Sequence, residues 1–232
     1  MFDNALESSA CNNMGNTVAP IPRPRLKEAA SLYAASGARK YLNRAERQRS
    51  LDGMQQLPDA ERLFALTLTW TGARVSEVLA LCPASFQIEA GIVGIVTLKR
   101  RKFCVREVPI PPGLMAELEA HFGLRTAQRD PLRIFDRLWK FCRSTAWRII
   151  KRLMTGAGIS GPIACPKAFR HAFGIGTLQS GIPINLTQRW LGHSRPSTTA
   201  IYADACGPEE IAFAARFWRS TPIDLFAVEV CR

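Results

Sequence analysis

One stretch in the middle of the chain reads unlike everything around it. Residues Ile92–Leu98 and Phe103–Ile110 alternate or run apolar, and the charged turn Lys99–Lys102 joins them, which is the pattern of a β-hairpin. On both sides of it the apolar residues fall at helical spacing. Asp59 can cap a helix that carries Leu63, Phe64, Leu66, Leu68 and Trp70 and ends at the Thr71–Gly72 turn. A second short helix, Val75–Leu81, stops at Pro83. After the hairpin, Pro111, Pro112 and Gly113 open a helix that reaches Phe122. Residues 123–143 read as a basic loop with some helix. Helices are then predicted over 145–156, 167–179, 183–191, 197–205 and 208–218, separated by Gly, Pro and Ser. A lone hairpin among helices predicts a mixed α/β fold, mainly helical, with a small antiparallel sheet on one side.

The ends of the chain differ from this middle. Residues 1 to 25 are polar and then punctuated by Pro20, Pro22 and Pro24, as in a flexible leader; a short helix is expected through Leu26–Ser36, with the compact fold starting near Lys40. The expected organisation is a leader over 1–37, one domain over 38–219 and an apolar tail over 220–232.

Charge narrows the partner. The 232 residues hold 31 lysines and arginines against 19 acids, a net charge of +12. Such an excess points to a polyanion, with nucleic acid ahead of an anionic membrane. No apolar span of roughly 20 residues is present, so no membrane partner is expected. The first residues, MFDNALESSACNNMGN, are polar and acidic, unlike a signal peptide. Seven scattered cysteines without a CxxC pair fit a reducing, cytoplasmic compartment. The three histidines, His121, His171 and His193, share no metal-ligand spacing, and neither a metal nor a cofactor is expected.

Four stretches carry the chemistry: TGARVSEVLAL (71–81), VTLKRRKFCVREVPIP (96–111), CPKAFRHAFG (165–174) and LGHSRPSTTAIYADA (191–205). Together they resemble the ordered signature of the tyrosine recombinase, or phage integrase, family, whose catalytic domain is shared with type IB topoisomerases. The resemblance runs from residue 40 to residue 219 and fills six positions in order. It implies that Arg74 and Arg170 hold the scissile phosphate, that His193 donates to one of its oxygens, and that Tyr202 is the nucleophile. It places the leaving-group acid at Lys99, with Lys102 a second candidate in the same run. Arg100, Arg101 and Lys102 are expected to contact DNA phosphates. Lys167 stands where the family more often has histidine. Two roles stay open for it: a base for Tyr202, which requires a neutral amine, or a permanent cation beside Arg170.

Each residue also has a plainer reading. Arg74 can be a surface arginine paired with Glu77, and His171, turned about 100° from Arg170 on its helix, reads as a buried structural histidine or a partner of the site. The resemblance implies a site-specific DNA recombinase acting in integration, excision, inversion or resolution through a 3′-phosphotyrosyl link. Its partners would be double-stranded recombination sites, further protomers in a dimer to tetramer on DNA, and an accessory DNA-binding protein as a further candidate. Family members usually carry a helical DNA-clamping domain ahead of the catalytic one, where this sequence has about forty residues, as in the single-domain fimbrial phase-switch invertases. Relaxation without partner exchange, and a non-catalytic DNA-binding protein or truncated remnant, are the alternatives.

Overall fold

The computed structural model describes residues 31–34, 37–97, 104–203, 211 and 214–215. Helices α1 (Arg44–Met54), α2 (Asp59–Thr71) and α3 (Val75–Val78) precede the strands β1 (Phe86–Gln87), β2 (Ile92–Val96) and β3 (Val105–Pro109). Helices α4 (Pro112–Phe122), α5 (Leu124–Gln128), α6 (Arg143–Gly156), α7 (Pro166–Gln179), α8 (Ile184–Leu191) and α9 (Ser197–Ala200) follow. The strands form one antiparallel sheet in the order β1-β2-β3. The fold is mainly helical with a small antiparallel sheet, as the lone hairpin implied.

Helix α2 is the hub. It packs against α1, α3, α4 and α7, and its sequence has apolar or hydroxyl side chains almost all round. Thr67, Thr69 and Thr71 are buried, and each turns its hydroxyl back onto the carbonyl four residues earlier, which satisfies the polar atom inside the core. The helix stops at Gly72, whose φ of 60° caps it in the left-handed region. A Cβ at this position would lie 2.5 Å from a ring carbon of Phe173 and 2.9 Å from a methyl of Leu191. Only glycine lets α7 and α8 close on the end of α2.

The sheet shows its inward face by alternation. Val93 and Ile95 on β2 and Val108 on β3 are buried, and register pairs Val93 with Val108 and Ile95 with Arg106. Arg106 is therefore a charged residue on the core side of the sheet, and it is 4% exposed.

Three features depart from the sequence reading. Helix α1 was not anticipated, because its face is largely polar; its signal is local, a capping box in which the Asn43 side chain accepts the Glu46 N–H and the Glu46 carboxylate accepts the Asn43 N–H. Strand β1 is two residues long and has no periodicity to read. Residues 31–34, expected within a helix, are not helical; Tyr33 bridges Arg39, and Leu32 and Tyr41 are buried beside Phe173, Leu191 and Tyr202. The hairpin turn 98–103, with Lys99, Arg100, Arg101 and Lys102, lies outside the described residues, as do most of the helix expected over 208–218 and the tail over 220–232.

The glycine at the end of α2 generates a test. Gly72→Ala combines a strained positive φ with overpacking against Phe173 and Leu191, and should destabilise the fold by about 2 to 4 kcal/mol. The urea midpoint measures it; a change below about 0.5 kcal/mol would refute the close approach.

Candidate active site

The site is assembled around a carboxylate with no exposed side-chain surface, Glu77. Arg74 sits at the N-cap of α3, and the Glu77 carboxylate three residues on accepts its backbone N–H at 2.9 Å and its Nη1 at 2.8 Å. The same carboxylate accepts Arg106 Nη2 at 2.6 Å from β3. Burial alone would raise the Glu77 carboxyl, but Arg106, the Arg74 backbone N–H and the Arg74 charge hold it below the usual range. Arg106 also donates from Nη1 to Thr97 Oγ1 at 2.9 Å and from Nε to the Trp190 carbonyl at 2.7 Å. One side chain thus ties the sheet to α3 and α8, and all three of its nitrogens are engaged. Sequence reasoning paired Arg74 with Glu77 but passed over Arg106. The available signal was its place two residues from the inward Val108.

Arg170 on α7 is held differently, by the ends of two helices. Its Nη1 donates to the carbonyl of Gly72, the C-cap of α2, at 2.6 Å, and its Nη2 to that of Leu191, the last residue of α8, at 2.7 Å. Carbonyls at helix C-termini lack intrahelical partners and carry the negative end of the helix dipole, so they suit a buried cation. Burial and then Arg74 lower the Arg170 guanidinium to about 10, while Tyr202 and Glu77 oppose the shift. It stays charged at neutral pH. Two of its five N–H groups are used by these carbonyls.

Tyr202 follows the short α9 turn and lies inside this cationic wall. It is 3% exposed, and a Cβ on Gly174 would stand 2.6 Å from its ring, so the helix α7 needs a glycine there to admit it. The His193 ring stacks parallel to it, with centroids 6.1 Å apart and an interplanar angle of 18°. His193 Nδ1 hydrogen-bonds Thr199 Oγ1 at 2.9 Å, and His171 Nδ1 lies 3.3 Å from the Tyr202 Oη. Burial raises the Tyr202 phenol above its ordinary value, against the pull of Arg170 and Arg74. Burial, with Arg170 and Arg74 the next causes, pushes His193 down to about 3. Burial, then Lys167, Arg170 and Lys40, push His171 down to about 4.

The structure therefore brings together Arg74, Arg170, His193 and Tyr202 from three separate stretches of chain, and adds Glu77, Arg106 and His171 around them. Lys167 lies in the first turn of α7 with its side chain exposed. Three guanidiniums, of Arg74, Arg106 and Arg170, stand against the single carboxylate of Glu77, which leaves the cluster net positive. Such fixed donors suit a phosphodiester, whose non-bridging oxygens gain charge as it is attacked.

Residues 40–206 match the profile of the phage integrase family. The chain belongs to that family. It is similar to the tyrosine recombinase XerA of Thermococcus kodakarensis, with 32% identity over 166 residues, covering 70% of this chain and 57% of that protein. Against XerA of Pyrococcus furiosus the identity is 35% over 145 residues, covering 61% and 49%. This phage integrase family chain spans about half the length of the curated relatives it matches. Among solved structures, a XerA recombinase superposes with a TM-score of 0.62 at 24% identity, over 79% of this chain and 65% of that one. XerH bound to its difH substrate gives 0.61 at 19%, over 80% and 59%. The catalytic domain of bacteriophage HP1 integrase gives 0.53 at 21%, over 79% and 98%. These likenesses, at low identity, establish the fold.

The two depressed histidines make stability depend on pH. The unfolded chain binds protons at both rings near pH 6.5, whereas the folded chain refuses them down to about 4 at His171 and about 3 at His193. Acidification through this window favours the unfolded chain, so their contribution is full above 6.5 and lost as pH falls toward those values. The denaturant midpoint should fall between about pH 7 and about pH 4.5, and His193→Asn should flatten that fall. Equal midpoints at the two values would contradict it.

Proposed function

We propose that the chain is a site-specific DNA recombinase that cleaves and rejoins DNA through a 3′-phosphotyrosyl ester on Tyr202. The observation that carries this is the phenol itself, set beside Arg170 and Arg74 and stacked on His193 in a positively charged pocket. The phenol oxygen attacks the scissile phosphorus as its proton passes by way of a non-bridging phosphate oxygen to water, and the 5′-oxygen of the next nucleotide leaves with a proton. Arg74, Arg170 and His193 donate to the non-bridging oxygens and stabilise the transition state more than the ground state. Lys99, from the β2–β3 turn, is assigned the proton for the leaving oxygen, and Arg100, Arg101 and Lys102 the flanking phosphates. The ester conserves the bond energy, so a 5′-hydroxyl can reverse the step, and a hydroxyl from a second duplex gives recombination.

Lys167 is assigned the part of a fixed cation. Its side chain is exposed, the phenol oxygen is bonded to His171, and the lysine charge is one of the causes that depress that imidazole. The domain proper spans 38–219, acts on cytoplasmic double-stranded DNA, and assembles with further protomers on paired sites. A member of the same fold, XerH, is seen bound to its difH substrate, which supports DNA as the polyanion.

A nicked duplex that releases its 5′ strand traps the adduct. The full chain should become covalently attached to the 3′ end, Tyr202→Phe should form no adduct while binding DNA as before, and Arg74→Ala should slow attachment by about 10²–10³-fold. Adduct persisting in Tyr202→Phe would end the assignment, and DNA binding without any adduct in the unaltered chain would favour a non-catalytic DNA-binding protein.

A further inference from the structure

Tyr202 is 3% exposed, and its ring is set by neighbours on α7 and by His193. Gly174 forms the floor under its ring and His193 lies parallel to it. What remains to be set is where the phenol oxygen points, and the group that meets it is His171 Nδ1 at 3.3 Å. His171 and Gly174 lie three residues apart on α7, directly after Arg170. One helix turn thus supplies a phosphate cation, the seat of the phenol ring and a contact to its oxygen.

Given the assignment of Tyr202 as nucleophile, on which this rests, we propose that His171 is its positioning residue: the neutral imidazole accepts the phenol O–H at Nδ1 and fixes the attacking oxygen in place.

The direction of the bond follows from the protons. Tyr202 and His171 are buried, at 3% and 5% exposure. The imidazole is kept uncharged by burial and by Lys167, Arg170 and Lys40, and the phenol is kept protonated by burial. A neutral ring carries one N–H. With that hydrogen on Nε2, Nδ1 accepts the phenol proton; with it on Nδ1, the buried phenol O–H would have no acceptor among the described residues. His171 Nε2 is buried without a partner among the described residues in either tautomer, so the phenol decides between them.

Positioning, rather than removal of the proton, is what these values allow. Burial raises the phenol and lowers the imidazole, which drives the two groups apart and leaves the proton on Tyr202. An imidazolium would also add a charge beside Lys167, Arg170 and Lys40, with its second N–H facing no carboxylate among the described residues. This is unlike a catalytic triad, where a carboxylate receives that N–H.

The experiment measures single-turnover attachment to the nicked duplex at saturating DNA. His171→Leu fills the site without an acceptor, and His171→Asn places an amide oxygen near Nδ1. His171→Leu should attach about 10–100-fold more slowly, as for a misplaced nucleophile, with its DNA half-saturation unchanged. His171→Asn should recover most of the rate and keep the unaltered pH profile. His171→Leu attaching as fast as the unaltered chain or faster would overturn the proposal, as would His171→Asn binding DNA normally yet attaching as slowly as the leucine variant. A measurement independent of folding of these variants is the ¹⁵N spectrum of the histidines in the unaltered chain. His171 should appear as the Nε2–H tautomer, with an Nδ1 resonance that moves in Tyr202→Phe; an Nδ1–H tautomer overturns the proposal even where cleavage is normal. Absence of adduct in the unaltered chain would instead remove the recombinase reading.

Discussion

The buried carboxylate of Glu77 holds Arg74 at the start of α3 and Arg106 in the middle of β3, and through Arg106 it reaches the last turn of α8. A charge taken out of water on this scale is tolerable only when its partners are close and fully bonded, because desolvation alone costs several kcal/mol. The geometry meets that condition, with three donors on the two oxygens of Glu77. Removing the carboxylate would leave Arg106 buried and uncompensated, a loss of about 3–5 kcal/mol for a broken buried pair. The sheet, the short helix and the C-terminal helices are therefore kept in one arrangement by a polar knot as much as by apolar packing.

Arg170 solves the same problem without a carboxylate. The ends of α2 and α8 supply carbonyls that no helix residue can use, and the guanidinium closes both. Glycine at each of those ends makes the approach feasible. Gly72 and Gly192 both have positive φ; a Cβ at Gly72 would overlap side-chain atoms of Phe173 and Leu191, and one at Gly192 would crowd those of Arg106 and Thr97 at 3.1 Å. The buried Arg170 cation and the ends of the two helices are the same structure seen from two sides.

Within this frame the ionisable groups are driven toward fixed states. Burial and surrounding cations keep both histidines uncharged, and burial keeps the phenol protonated. Neutral imidazoles can orient and donate without adding to the positive charge that an anion must balance. The arrangement separates charge, carried by guanidiniums, from orientation, carried by histidines.

Much was legible in the sequence, because the relevant signals are local. Alternation announced β2 and β3, Gly72 and Pro83 bounded the helices around Arg74, and the spacing from His193 to Tyr202 marked the last stretch. The capping box of Asn43 and Glu46 was equally local but sat in a helix too polar to be seen by periodicity. What packing alone decided lies in contacts between distant segments: Arg106 with Trp190, 84 residues apart, Arg170 with Gly72, 98 apart, and Tyr202 with His171, 31 apart. The sequence by itself determined which side chains could carry charge or a proton and on which face of an element each would lie. Tertiary structure determined which of them share a pocket, and so which histidine meets the phenol. Periodicity encodes direction relative to one helix or strand, whereas the partner across a gap depends on how several elements close on one another.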